Sequence, residues 1–275
     1  MFPRKWLNLL FIVSLQKQSN SILISKNRGK ITWVKREELF KEARKRFVDA
    51  EIVLDVGCGI RPQNFVKPKV QICFEPFRQY VDFLQEKVNG KSDRIYVIFQ
   101  GNWDDAVKKL APKSVDTVML IDVVEHLKKA DGRRLLKATE KITRRQIIIF
   151  TPLGFVPQEH PDGKDAWGLG GGAWQKHLSG WDPKKDFDRD WEIVGCKQFH
   201  FKNNRGETLD KPWGAFFAIK TFDSSLSRDK IFSLFTYTSD LSGRLTKKLK
   251  YFARIILDKG HLFYFVGKVL KKNKL

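Results

Sequence analysis

Acid is what this 275-residue chain has least of relative to its opposite: 31 Asp and Glu stand against 52 Lys and Arg, a formal net charge of +21. Such an imbalance draws a protein to anionic neighbours, whether nucleic acid, phospholipid heads or acidic substrates, without choosing among them. Cysteine is scarcer still. Cys58, Cys73 and Cys196 form no C-x-x-C pair, which excludes a disulfide framework. Cys58 and Cys73 lie in apolar, strand-like surroundings and read as small buried hydrophobes in a reducing, cytoplasmic setting. Long apolar runs are also missing. WLNLLFIVSL near the start falls well short of the ~20 residues that span a bilayer. The QKQSNS that follows offers no A-x-A cleavage site, so the run reads as an amphipathic or packed helix, with a surface anchor as the alternative.

Three familiar ligand motifs are absent as well. No G-x-x-x-x-G-K-[ST] exists, which excludes a P-loop. The one G-x-G would need a third glycine at position 62, where Pro62 stands, so a dinucleotide fingerprint fails. The five histidines and scattered acids show no metal-ligand spacing such as H-E-x-x-H, and no metal is expected.

What is present is a globular composition, 42% hydrophobic and 30% charged, enough for a sizeable core and against global disorder. TWVKREELFKEARKRFVD puts Leu39, Ala43 and Phe47 at helical spacing. Short β-branched runs then alternate with helical ones. EIVLDVG, VQICFEP (70–76), DRIYVIFQG (93–101), the first part of VDTVMLIDVVEHL (115–127) and RQIIIFTPLG (145–154) read as strands. RQYVDFLQEKV and ADGRRLLKATEKI read as helices between them. That alternation predicts an α/β fold, a parallel sheet covered on both faces. WEIVGCKQFHF (191–201) and WGAFFAIKTF (213–222) follow as a closing hairpin. Between them and the fifth strand, residues 155–181 hold six glycines and Trp167, Trp174 and Trp181. A long irregular segment is usually functional or disordered, and three tryptophans need cover, which argues against disorder.

Three parts result: an apolar and basic extension over 1–30, a central domain over 31–222 whose 155–190 stretch is a substrate lid, and a basic amphipathic extension over 223–275. Residues 244–275 carry ten Lys and Arg against Asp258, with Leu245, Leu249, Phe252 and Ile256 on one helical face. Two readings fit this tail equally: a helix on an anionic membrane, or a charged helix packed on the domain.

The chemistry centres on IVLDVGCGIRP, residues 52–62. Ligands of open α/β sheets bind beyond the carboxyl ends of the strands. There Gly57 and Gly59 permit a sharp turn and close approach to the backbone, and a following helix would offer free N–H groups. Glu75 ends the second strand twenty residues after Asp55, placed to accept hydrogen bonds from ribose hydroxyls. Gln100, Gly101, Asn102, Trp103 and Asp104 follow the third, offering an acid and an aromatic beside an adenine, with helix capping by Asp104 as the plainer alternative.

In this order LDVGCG, FEP, GNWDD, IDVVEHL and IIIFTPLG resemble the class I S-adenosylmethionine-dependent methyltransferases, and are most similar to their type 11 branch, over roughly residues 50–155. The resemblance implies a Rossmann-like, seven-stranded, mostly parallel sheet with helices on both faces and a terminal antiparallel hairpin. It implies S-adenosyl-L-methionine as cofactor, with Asp55, Gly57 and Gly59 at its methionine end, Glu75 and Pro76 at the ribose, Asn102, Trp103 and Asp104 at the adenine, and Asp122 and Val123 near the sulfonium. Arg61 stands where the family often has a third glycine, and Pro62 suits a shifted helix start. His126 and His177 are candidate bases, with His160 a further rival.

The implied reaction is methyl transfer to an oxygen or nitrogen of a small-molecule, glycan or lipid-linked acceptor, in a cytoplasmic protein or one peripheral to a membrane through 241–275. An RNA methyltransferase is the second reading, favoured by charge. Against it, the Asn/Asp-Pro-Pro-aromatic motif of base-amino methyltransferases is absent. A non-catalytic binding module is the third reading.

Overall fold

The computed structural model describes residues 29–203 and 205–222. The expected extensions over 1–30 and 223–275, including the basic stretch 241–275, lie outside the described residues apart from the last two positions of the first. Eight strands form one sheet: β1 (Ile31–Trp33), β2 (Ile52–Val56), β3 (Val70–Glu75), β4 (Ile95–Gln100), β5 (Val115–Ile121), β6 (Thr143–Pro152), β7 (Trp191–Lys202) and β8 (Thr208–Thr221). Their spatial order is β1-β7-β8-β6-β5-β2-β3-β4. Only β8 runs against its neighbours, pairing antiparallel with both β6 and β7. Four helices are described, α1 (Leu39–Arg44), α2 (Arg78–Val88), α3 (Trp103–Lys109) and α4 (Lys129–Ile142). No described helix is long and apolar enough to cross a membrane.

The central strands are apolar runs rather than alternations, because both faces are covered. On one face Leu54, Val56, Val118, Leu120, Ile147 and Ile149 join Leu135 of α4 and the indole of Trp181. On the other, Val53, Met119, Ile148 and Phe217 pack under Leu39 and Ala43 of α1; Phe47, the third position expected on that helix, lies past its end at Arg44 and packs partly buried against the same cluster.

Two features differ from the sequence expectation. The first is the strand count, eight instead of seven. Ile31–Trp33, of which Thr32 and Trp33 opened the stretch read as helical, is a short edge strand parallel to β7, with Ile193 N–H donating to the Lys30 carbonyl and Val34 N–H to the Gly195 carbonyl. A β-branched and aromatic Ile-Thr-Trp suits a half-covered edge better than a helix. The second is the crossover from β2 to β3. No helix follows the glycine turn; residues 57–69 are turn and irregular chain. Pro62 and Pro68 remove two backbone donors from a segment of thirteen residues, and side chains from the sheet claim others, as described next.

Chain direction fixes where a ligand can sit. From β2 the chain moves outward to β3 and β4, then crosses back to β5 on the other side of β2. The carboxyl ends of β2 and β5 therefore diverge into two loops at the point where strand order reverses, the place at which open α/β sheets bind ligands.

Candidate active site

The loop leaving β2 turns through two left-handed glycines, Gly57 at φ +64 and Gly59 at φ +53. Each is also crowded. A Cβ on Gly57 would stand 3.0 Å from Cγ2 of Val123, and one on Gly59 3.0 Å from the Trp167 ring. The loop after β5 thus touches the loop after β2 through Val123, as the reversal of strand order requires.

Glu75, 4% exposed at the tip of β3, holds the near side of this turn. Its Oε2 accepts from Gly59 N–H at 2.9 Å and its Oε1 from Phe77 N–H at 3.0 Å. Asp55 holds the far side. Its Oδ2 accepts from Gln63 N–H at 2.7 Å and from Gln71 Nε2 at 2.9 Å. The two acids grip the first half of the loop, at Gly59 and Gln63, and the absent helix is explained: the donors it would have aligned are taken by carboxylates. Burial pushes the carboxyl of Asp55 up to about 7, against the opposing pull of the Gln63 and Gln71 hydrogen bonds. Burial raises Glu75 as well, opposed by its two backbone donors. Pro76 follows Glu75 and its carbonyl receives the amide of Gln100, 3.5 Å away.

Beyond β4, Asn102 caps α3, its Oδ1 accepting from the N–H groups of Asp104 and Asp105. Asp105 completes a capping box by accepting from Asn102 N–H at 3.0 Å. Asp104 pairs with Lys108 one turn on. The ring of Trp103 packs against the core beneath the guanidinium of Arg134, whose Cζ lies 5.7 Å from the ring centroid.

The end of β5 carries a different set of groups. Asp122 is held at φ +53, an unusual conformation for a residue with a side chain. It is solvent-exposed yet ringed by protein atoms, as at the floor of a cleft. Desolvation first, and then the charge of Glu125 and a hydrogen bond with it, raise its carboxyl well above the usual range. Glu125 is 2% exposed. One carboxylate oxygen, Oε2, accepts from the hydroxyl of Thr151 on β6 at 2.9 Å. The other, Oε1, is buried and receives no backbone, amide or hydroxyl donor. Burial pushes its carboxyl up to about 7.

His126 and His177, fifty-one positions apart in sequence, meet here with ring centroids 4.9 Å apart. His126 Nδ1 lies 3.1 Å from the Lys176 carbonyl, and His177 Nδ1 lies 2.7 Å from the Val156 carbonyl. A carbonyl only accepts, so each Nδ1 carries the proton and each Nε2 keeps its lone pair. Burial lowers both rings, His177 to about 4 with help from the neighbouring His126. Both are therefore neutral at pH 7. The third candidate, His160, bonds through Nδ1 to the Lys164 carbonyl within the irregular segment 155–190.

The segment 155–190 spans both halves. At one margin Tyr80 of α2 donates its hydroxyl to Asp165, Gly170 N–H donates to Oε1 of Gln79, and Trp167 covers Gly59 while packing 5.1 Å from the Tyr80 ring. At the other margin Leu178 and Ser179 N–H groups both donate to the Glu125 carbonyl, and Trp181 is completely buried. The three tryptophans have unequal fates, since Trp174 stays half exposed. A cavity of about 70 Å³ opens beside His177, lined by Val156, Gln158, His200, Lys202 and Trp213 among others. A larger, open hollow of about 620 Å³ lies near Lys69 and Arg94, at the amino ends of β3 and β4, on the wrong side of the sheet for this chemistry.

Thr151, Tyr80 and Asp165 of this cleft had no role in the sequence reading, while Trp167 was expected only to need cover and Glu125 was noted only beside His126. Glu125 adjoins His126 and carried a visible signal in VVEHL; the others meet only through the fold.

No family model matches the chain, and no curated protein is similar to it in sequence. In fold it is similar to solved structures. A SAM-dependent methyltransferase from Archaeoglobus fulgidus is 17% identical, with a TM-score of 0.43 over 73% of this chain and 98% of that one. TehB from Haemophilus influenzae is 16% identical, with a TM-score of 0.46 over 66% of this chain and 61% of that one. The N-terminal domain of EvdMO1 with SAH bound is 11% identical, with a TM-score of 0.44 over 66% and 79%. Likeness at this level carries nothing about chemistry, which rests on the residues of the cleft.

Proposed function

We propose that the protein transfers a methyl group from S-adenosyl-L-methionine to an oxygen or nitrogen of a small-molecule, glycan or lipid-linked acceptor. The observation that carries this reading is the pair of buried acids gripping a bare glycine turn at the reversal of strand order, opposite Asp122 on the cleft floor. The donor set fits an adenosyl sulfonium. Glu75 has two carboxylate oxygens at a strand tip, each with a lone pair left after its backbone bond, suited to ribose hydroxyls. Gly57 and Gly59 present backbone without side chains, and Asp122 and Val123 face them from β5. Asn102, Trp103 and Asp104 close the far edge, on the adenine side. When bound, the cofactor supplies a methyl group already activated by positive sulfur, so the chemistry asks little of the protein beyond alignment.

The chain's own contribution is positional. Correct orientation is worth roughly 7–11 kcal/mol of barrier. The Asp165–Tyr80 and Glu125–Leu178 anchors hold the lid across the cleft, where it excludes water. His126 and His177, neutral and with free Nε2 atoms, stand where a proton leaves the acceptor. The acceptor enters beside His177, through the cavity whose lining joins Trp213 and Val156 to His200 and Lys202.

Calorimetric titration with S-adenosylhomocysteine tests the cofactor assignment; saturable one-to-one binding is expected, and its absence from folded protein would refute the reading. A panel of hydroxyl and amine acceptors against RNA then tests the acceptor class, with turnover on RNA alone counting against it. A peripheral membrane role for 241–275 is tested by liposome co-sedimentation of the full chain and a chain ending at 240, which should sediment less with anionic vesicles.

A further inference from the structure

The reactive end of the cleft contains a group of atoms that hydrogen bonding within the protein leaves unfinished. Glu125, 2% exposed, has one oxygen accepting from Thr151 and another that receives no backbone, amide or hydroxyl donor and faces only the carboxyl of Asp122. A buried carboxylate oxygen without such a donor is costly, on the order of 1–3 kcal/mol or more when charged. It lies beside two imidazoles whose Nδ1–H groups are both committed to backbone carbonyls, leaving both Nε2 lone pairs free. One ligand atom from each of Glu125, His126 and His177 can be chosen so that all three lie within 4.8 Å of one another.

We propose that Glu125, His126 and His177 hold a divalent first-row transition-metal cation at the floor of the cleft, with coordination positions left open toward an oxygen of the acceptor.

Four observations converge on it. The donor set, two imidazole nitrogens and one carboxylate oxygen, suits Zn²⁺, Mn²⁺, Fe²⁺ or Co²⁺ better than Mg²⁺ or Ca²⁺, which take oxygen ligands. Each histidine already makes the second bond that a metal-bound histidine makes, Nδ1–H to a carbonyl, which fixes the tautomer and the ring. Glu125 is braced by Thr151 through its other oxygen. The chain also converges on this point twice: Leu178 and Ser179 N–H groups both donate to the Glu125 carbonyl, holding His177 against its partners. Ligands about 2.1 Å from one ion stand about 3.4 Å apart, so closure from 4.8 Å asks for side-chain shifts of about an ångström.

Three protein ligands leave positions for others, the arrangement of catalytic rather than structural sites. The 70 Å³ cavity adjoins one of the three ligands, His177. A hydroxyl oxygen entering there would bind the cation through a lone pair and release its proton to solvent at a lower pH than a free hydroxyl. The two histidines would then act as ligands, and the acceptor atom would be oxygen. That last step rests on the methyl-transfer reading; the cation site itself does not.

The test uses the full chain without a histidine tag, stripped with a chelator and dialysed. Co²⁺ is titrated while visible absorption is recorded, and Mn²⁺ and Zn²⁺ are titrated by calorimetry. One ion per chain is expected, with the intensified d–d band of a low-symmetry cobalt site. His177→Ala should weaken binding by about tenfold or more. Glu125→Gln, which keeps the shape and the Thr151 contact, should do the same without disturbing the fold. No saturable binding of any of the three ions to folded protein overturns the proposal, as does equal binding by wild type and both variants. S-adenosylhomocysteine binding is measured on the same samples. Its retention without metal binding defeats this inference alone, whereas metal binding without it leaves the cation site standing and defeats the methyl-transfer reading.

Discussion

The two sides of the cleft spend their carboxylates differently. Beside β2 and β3, Asp55 and Glu75 each accept two hydrogen bonds from the chain around them, and the loop between the strands is held by those bonds rather than by a helix. Beside β5, Glu125 keeps one oxygen facing only the Asp122 carboxyl and two imidazoles keep free nitrogens. The first pair shapes the loop while Glu75 still keeps one lone pair on each oxygen; the second set is held in place by others, here Thr151, Lys176 and Val156. On the proposed reading the first side recognises and the second reacts.

The sharpest way to break this contrast is to measure cofactor affinity on both sides. Glu75→Ala leaves the Gly59 and Phe77 N–H groups without acceptors, and S-adenosylhomocysteine affinity should fall about 100-fold, near 3 kcal/mol. Stability should fall by about 2–4 kcal/mol in urea titration. His177→Ala should leave that affinity within about twofold while abolishing most turnover, because its lone pair serves the other partner. Comparable losses of affinity in both variants would erase the distinction.

Smaller effects sharpen it. Gly59→Ala forces a side chain into φ +53 and against Trp167, at a cost of about 1–2 kcal/mol visible in the unfolding midpoint. The pH dependence of stability isolates Asp55. Its carboxyl titrates near 7 when folded against 3.8 as the ordinary value, so the folded state binds more protons between those values. Stability from this group is therefore full below about pH 4 and declines as pH rises toward 7. Asp55→Asn keeps an acceptor for Gln63 N–H and should flatten that decline, which urea midpoints from pH 4.5 to 7.5 would record. Smallest is Trp167→Ala, which uncovers Gly59: cofactor dissociation by stopped flow should quicken a few-fold, with less than about 1 kcal/mol lost in stability because the ring is only partly buried.

Much of the recognising side was legible in the chain, because its signals are local. A β-branched run ending in Asp-Val-Gly-Cys-Gly announces a strand and a turn, and Glu75 is marked by its place at the end of the next strand. Even so, the helix expected after Gly59 is missing, since the pull of Asp55 and Glu75 on the loop's N–H groups outweighs the local preference. Ile31–Trp33 misled for the opposite reason: an edge strand exists only because β7 is there to receive it. The reactive side was the harder to see. His126 and His177 were named singly, but their meeting depends on the lid, and the free oxygen of Glu125 depends on Thr151, twenty-six residues away on another strand. Tyr80 and Asp165, eighty-five residues apart, leave no trace in either neighbourhood.

The burial of Trp181 has a consequence for traffic. Its indole is wedged against Gly132 of α4, where even a methyl group would collide, and Lys129 lies over it, Nζ 3.7 Å from the ring centroid. A flap riveted so firmly along one border has its looser edge at the other, where Trp167 rests on Gly59 and the ties run through the bonds of Asp165 with Tyr80 and of Gly170 with Gln79. On the proposed reading the cofactor then comes and goes by the Trp167 border, apart from the acceptor's path beside His177, and a spent cofactor there must wait for that border to open.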